Sequence, residues 1–375
     1  MIFEKPLDAV ELRHLLHQNP ELMFEEFKTT SILFDNLSLI SGLKILKPLE
    51  TGLVVEYTIN DGNYILFRAD IDALPIQEQT NCSFSSENKF MHACGHDVHS
   101  SILYGFIKEV VDMKINQNMI FVFQPAEEGG GGAEKVIGTG VLENYNIKNA
   151  FALHVTDEYD FGTIASTAGE LFASSVEVDI IVYGKSSHVA FPEKGIDSLK
   201  VLRLILDEVD KIIANEPKPV LFGCGKITGG AVRNILADSA KAECTLRTLS
   251  IERSKNIIKK FDLVKSIIEE KTKAKIDINL NAFYTEVVND ESLFNSAKSF
   301  LGKDYNFIDC GLKMTAEDFG FFTKKYPSFM FWLGTLQGER FGLHTPCFLP
   351  DDKIINKGID IYLSILKLYL TNNSL

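Results

Sequence analysis

The chain has 375 residues, 45% of them hydrophobic, and carries 38 basic against 51 acidic side chains for a formal net charge of -13. That apolar content excludes a disordered chain and suffices for two domains with separate cores. The acidic balance excludes nucleic acid and an anionic membrane surface as expected partners, since phosphate binding needs a positive field, and leaves a small molecule.

The opening segment, MIFEKPLDAVELRHLL, has acids where a secretory signal needs a basic region and then an unbroken apolar run, and no later run is long enough to span a bilayer. A cytoplasmic location is the expectation. Residues 9–18 read as a helix, LVVEYTI (53–59) and YILFRAD (64–70) as strands, Val98 to Met113 as a helix, MIFVFQPAE (119–127) as a buried strand and FALHV (151–155) as another. Buried strands separated by helices predict an α/β domain with a central mixed sheet flanked by helices. From about Leu171 to Phe283 the rhythm changes to strand, helix, two strands, helix, strand, the βαββαβ order of a ferredoxin-like unit. The domain expectation is therefore residues 1–165 and 280–375 for the first domain, with 166–279 inserted into it; the chain closes on an amphipathic helix, INKGIDIYLSILKLYL.

Six cysteines, Cys82, Cys94, Cys224, Cys244, Cys310 and Cys347, lack paired spacing, which predicts free thiols, most of them buried as small apolar residues. Cys94 stands apart, because His92-Ala93-Cys94-Gly95-His96-Asp97-Val98-His99 packs three imidazoles, a thiol and a carboxylate into eight positions. These are soft and borderline metal donors, and Gly95 lets the backbone bend so that Cys94 and His96 can face one ion. A surface loop with satisfied histidines is the alternative. Glu127 and Glu128 follow a buried strand and precede Gly129–Gly132, which suits one carboxylate to a metal and the other to a water molecule. The competing reading is an acidic helix start, favoured by the helix dipole. His154, at the predicted C-terminal end of its strand, and His344, in a turn, could each be a satisfied edge histidine. Together Cys94, His96, Glu128, His154 and His344 offer sulfur, nitrogen and oxygen donors enough for two divalent ions with one shared ligand.

The strings RHLLHQNPELMFEEFKT, FRADIDALPIQE, MHACGHDVH, FVFQPAEEGGGGAE, FALHV, GKITGG, MTAEDFG, FMFWLG and GLHTP, in this order and spacing, resemble the amidohydrolase branch of the two-metal aminoacylase and carboxypeptidase family. Within it, FMFWLG and LFASS (171–175) are most similar to the deacetylases that act on N-acetyldiaminopimelate in lysine biosynthesis. The resemblance implies Cys94, His96, Glu128, His154 and His344 as metal ligands and Glu127 as general base. It implies that the inserted domain is a dimerisation lid whose His188, in Gly184-x-x-x-His188, steadies the oxyanion in the neighbouring subunit. It also implies that Asn234 and Arg247 hold the substrate's α-carboxylate. Two departures stand out: Glu193 follows Pro192 where a second histidine is common, and Asp70 fills a position that is a ligand histidine in other branches. Asp70 is left out of the metal set, and Asp72 is expected to orient a ligand.

The expected activity is hydrolysis of an N-acyl amino acid, N-acetyl-L,L-diaminopimelate first, using two divalent ions (zinc, manganese, cobalt or nickel), in a homodimer or higher homo-oligomer. The alternatives are a hippurate-type or general aminoacylase, a dipeptidase, a metal-storage protein, and a redox protein built on Cys94. Adjacent Glu127 and Glu128 speak against storage, which has no use for a base beside the metal, and no resolving cysteine lies near Cys94 in sequence.

Overall fold

A strand buried on both faces carries an unbroken apolar run, one with a solvent face alternates, and the two patterns divide this chain between two sheets. The computed structural model describes residues 3–86 and 88–372, so Met1 and Ile2 of the opening segment lie outside the described residues. One compact unit comprises Met1–Leu171, Val287–Leu312 and Asp318–Leu375, and the other comprises Phe172–Glu286 with Lys313–Glu317.

The first unit holds an eight-stranded sheet with the spatial order Lys44–Leu46, Leu53–Tyr57, Asn118–Gln124, Tyr64–Asp70, Ile147–Asp160, Ser328–Leu336, Ile164–Ser166 and Phe307–Asp309. Tyr64–Asp70 runs parallel to both its neighbours, Ile147–Asp160 runs parallel to Ser328–Leu336, and Leu53–Tyr57 is antiparallel, so the sheet is mixed as expected. Asn118–Gln124 is buried at every position, the state its apolar run predicts. Phe67 lies at the centre of the core, with ring centroids 4.7 Å from Phe106 on helix His96–Asp112, 5.0 Å from Tyr362 on helix Lys353–Asn372 and 5.2 Å from Phe151. The strand Leu53–Tyr57 stops two residues short of the predicted end because the Asn118 side chain accepts from the Ile59 and Asn60 N–H groups, turning the backbone out of the ladder.

The second unit is a four-stranded antiparallel sheet ordered Lys275–Tyr284, Ser174–Tyr183, Ser239–Thr248, Val220–Gly229, with helices Ser198–Asn215 and Ile251–Thr272. This is the ferredoxin-like arrangement read from the order of elements. Val176, Val178, Ile180 and Val182 alternate inward and pack with Val201, Leu202, Ile205 and Phe261 into a core of their own. Asp197 and Ser250 cap the two helices, accepting from the Lys200 and Arg253 N–H groups.

All six cysteines are free, but only Cys94 and Cys244 are buried. The expectation that most would be buried fails because Cys224 lies on the exposed edge strand Val220–Gly229, while Cys82, Cys310 and Cys347 are half-buried. Among the described residues no helix is long and apolar enough to cross a membrane.

Candidate metal centre

Helix His96–Asp112 begins at Gly95, whose φ of +83° favours glycine and whose added Cβ would meet Val155 Cγ2 at 2.4 Å. This bend turns Cys94 and His96 toward one place. Cys94 Sγ lies 3.3 Å from His154 Nε2 and 3.2 Å from His344 Nε2. His344 Nε2 is also 3.2 Å from Glu128 Oε1. Three groups, Cys94 with His96 and His154, Cys94 with Glu128 and His344, and His96 with Glu127 and Glu128, each bring their donor atoms within 4.8 Å of one another. Residues 250 apart in the chain thus meet around one thiol.

Hydrogen bonds set which histidine nitrogen faces the cluster. His154 Nδ1 lies 2.7 Å from the Val155 carbonyl, which only accepts, so Nδ1 carries the proton and the Nε2 lone pair points at Cys94. His96 Nδ1 lies 3.2 Å from Asp72 Oδ1, which orients that ring in the same sense. Its Nε2 is buried without a hydrogen bond, with Asp70 Oδ2 at 3.8 Å and Glu128 Oε1 at 3.9 Å. A buried polar nitrogen without a partner is costly, and a divalent cation replacing its proton would satisfy it. Asp72 Oδ2 also accepts the Glu128 N–H at 2.9 Å, so one carboxylate holds both His96 and the Glu128 backbone.

The charges agree with a cation site. Burial, then Glu128, Glu127 and Asp70, raises the Cys94 thiol well above its usual range. Burial opposes the charged form of His96, yet Asp70, Asp72 and Glu128 push it up to about 10. Burial drives His154 well below the usual histidine value. Carboxylates gathered round a thiol and two inward-facing imidazole nitrogens make a donor set that fits divalent metal ions, with the ion displacing the protons held by Cys94 and His96.

The turn carrying Glu127 and Glu128 is tightly specified. Ala126 adopts φ +55° and donates its N–H to Glu26 Oε1 at 2.8 Å. A Cβ on Gly132 would fall 1.6 Å from the Pro125 carbonyl oxygen, so Gly132 is a steric need of the turn into helix Gly132–Gly138.

The sequence profile of peptidase family M20/M25/M40 matches residues 66–368. The chain belongs to that family. It is 39% identical over 356 residues to an N-acetyldiaminopimelate deacetylase of Exiguobacterium sibiricum, covering 92% of this chain and 95% of the relative. It is 37% identical over 367 residues to an N-acetyldiaminopimelate deacetylase of Bacillus pumilus, covering 96% and 97%. Among solved structures, the Bacillus subtilis YXEP protein, described as a dinuclear metal binding peptidase from M20 family, superposes with a TM-score of 0.79 at 29% identity, covering 96% of this chain and 98% of that one.

In this M20 member the strand Ile147–Asp160 continues past His154, which therefore sits within the strand, not at its end. Pairing with Ser328–Leu336, including Trp332 opposite His154 and Gly334 opposite Thr156, carries the ladder onward. In the other unit, His188 and Asn234 are exposed on adjoining loops: His188 forms a β-bridge with Ile235, and the Val189 N–H donates to the Asn234 carbonyl at 3.0 Å. Arg247 is half-buried and donates from Nη1 to the Met314 carbonyl at 2.8 Å.

Sequence reasoning missed the ion network beneath the cluster. Buried Arg68 donates at 2.7 Å to each of Asp70 Oδ2, Asp318 Oδ1 and Gln124 Oε1. Asp70 Oδ1 lies 2.6 Å from His99 Nδ1, and His99 Nε2 accepts the Val155 N–H at 2.9 Å. The sequence signal is MTAEDFG, one of the strings that carry the family resemblance, which contains Asp318. Glu26, in FEEF, carries no local sign of its contact with the Ala126 N–H a hundred residues away.

Proposed function

We propose that this M20 family member is a deacetylase of N-acyl amino acids, with N-acetyldiaminopimelate as substrate and two divalent ions, zinc, manganese, cobalt or nickel, held by Cys94, His96, Glu128, His154 and His344. The observation that carries the reading is a buried carboxylate, Glu127, within 4.8 Å of donors on His96 and Glu128. A binding or storage site has no need of such a base, which speaks against the alternative without turnover. The shared activity of the two relatives named above supports the substrate.

The bound ions would supply Lewis acidity, polarising the amide carbonyl and lowering the pKa of a water molecule. Glu127 accepts that water's proton as its oxygen bonds to the acetyl carbon. As the C–N bond breaks, Glu127 returns the proton to the departing nitrogen, releasing acetate and the free amine. Asp72 keeps His96 and the Glu128 backbone aligned throughout. His188 of the partner subunit steadies the oxyanion, and Asn234 and Arg247 take the α-carboxylate. The exposed edge strand Val220–Gly229, with Leu221 and Ile227 half uncovered, supports a homodimer formed through the second unit. A cytoplasmic location accords with the free cysteines.

The test is a substrate panel on the purified, metal-loaded protein: N-acetyldiaminopimelate, hippurate, other N-acetyl amino acids and dipeptides. Preferential acetate release from N-acetyldiaminopimelate is expected. Faster turnover of hippurate or of a dipeptide would reassign the substrate, and no hydrolysis of any of them would remove the enzyme reading.

A further inference from the structure

Among the candidate ligands His344 has the weakest support from packing. Its side chain is 52% exposed, it sits on a turn, and its backbone takes φ +61°, a conformation that costs a non-glycine residue energy. Something other than burial must aim it at Cys94. Its own N–H donates to the Ala93 carbonyl at 2.9 Å, which fixes one end of the turn. The other end is held by a buried carboxylate: Asp157 Oδ2 accepts from both the Phe341 N–H, at 2.8 Å, and the Gly342 N–H, at 2.6 Å.

We propose that Asp157 is a positioning residue that fixes His344 for metal binding by clamping the Phe341–Gly342 backbone to the strand that carries His154. This rests on the metal reading given above. Asp157 stands three residues past His154 on Ile147–Asp160 and is 6% exposed. The strand pairs regularly with Ser328–Leu336 as far as Thr156, which faces Gly334, and the register shifts between there and the Asp160–Leu336 pair, so Asp157 follows directly on the regular ladder. His154 and His344 approach the same Cys94 sulfur, at 3.3 and 3.2 Å, so the clamp sets the separation between two donors that share a thiol. Hydrogen bonds to a charged acceptor are stronger than neutral ones, and two adjacent amides converging on one oxygen restrict the turn in two directions. His344 thus needs no packing of its own, because it inherits its position from the strand.

The test is cobalt titration of the metal-free full chain, followed by absorption, for the unaltered protein, D157N, D157A and the exposed-site control E339Q. Outer partners of metal ligands are worth about 10- to 100-fold in affinity. The unaltered protein and E339Q should bind two equivalents. D157A should bind one equivalent about 10- to 100-fold more weakly and the other normally. D157N, whose amide oxygen can accept the same N–H groups without the charge, should fall between. Thermal melting of the metal-free forms separates positioning from folding, because a merely structural loss would lower the melting temperature and weaken both equivalents together. If D157A does not fold, D157N decides, and unaltered binding of both equivalents by the folded variant overturns the assignment of Asp157 alone. Failure of the unaltered protein to take up cobalt overturns the metal reading and this inference with it.

Discussion

Glu127 and Glu128 are neighbours in sequence with different duties in the proposed chemistry, and the backbone between them shows how they are kept apart. Asp72 holds the Glu128 N–H, whereas Glu26 holds the Ala126 N–H just before Glu127. Replacing Glu127 by Gln should lower kcat by about 10²- to 10⁴-fold, the usual contribution of a general acid-base group, with metal content by elemental analysis unchanged. Glu26 adds a pH dependence. Burial, then the nearby Asp72 charge, raises its carboxyl to about 7 from the ordinary 4.5. The folded state therefore binds the proton more tightly than the unfolded one, and the Glu26 contribution to stability is fully present below 4.5 and lost as pH rises through about 7. The E26Q variant should show a flatter melting temperature between those values; an identical slope would exclude Glu26 as its source. Neither this role nor that of Arg68 was legible beforehand, since a side chain whose partner lies 250 positions away, as Asp318 does from Arg68, leaves no local pattern.

At the scale of elements, the strands and helices with long uninterrupted patterns matched their predicted places closely. Tyr64–Asp70 coincides with its prediction, because apolar runs that must be buried leave a strand no other register. Helix Phe27–Leu37, by contrast, has no clear sequence signal, since its Thr-Thr-Ser stretch carries little helical propensity and the helix is held by burial of Ile32, Leu33 and Leu37. The turn joining strand Asn118–Gln124 to helix Gly132–Gly138 is the element on which the proposed chemistry depends most. G132A places a methyl group against the Pro125 carbonyl, so the turn must move. Activity and cobalt uptake should fall together, while far-ultraviolet circular dichroism stays near that of the unaltered protein; full activity would show that the turn can yield without cost.

On the scale of the whole molecule, the two units have separate cores, and the candidate donors all belong to the first. Metal bound to the folded state alone stabilises it by about 2.7 kcal/mol when the free ion is at 100 times its dissociation constant. Calorimetry with and without a chelator should therefore show a lower melting temperature for the metal-free protein, restored by adding the ion back. An unchanged melt would argue against a metal held by the folded chain.

Donor chemistry and the alternation of elements were determined by the sequence on its own, because both are written in short stretches: Cys94 to His99, Glu127 with Glu128, and the apolar runs of individual strands. Where His154 lies within its strand, which nitrogen of each histidine faces inward, and which buried carboxylates hold the turns of the candidate ligands were decided only by the tertiary structure. Those are matters of distance between segments far apart in the chain, and composition and spacing carry no distances.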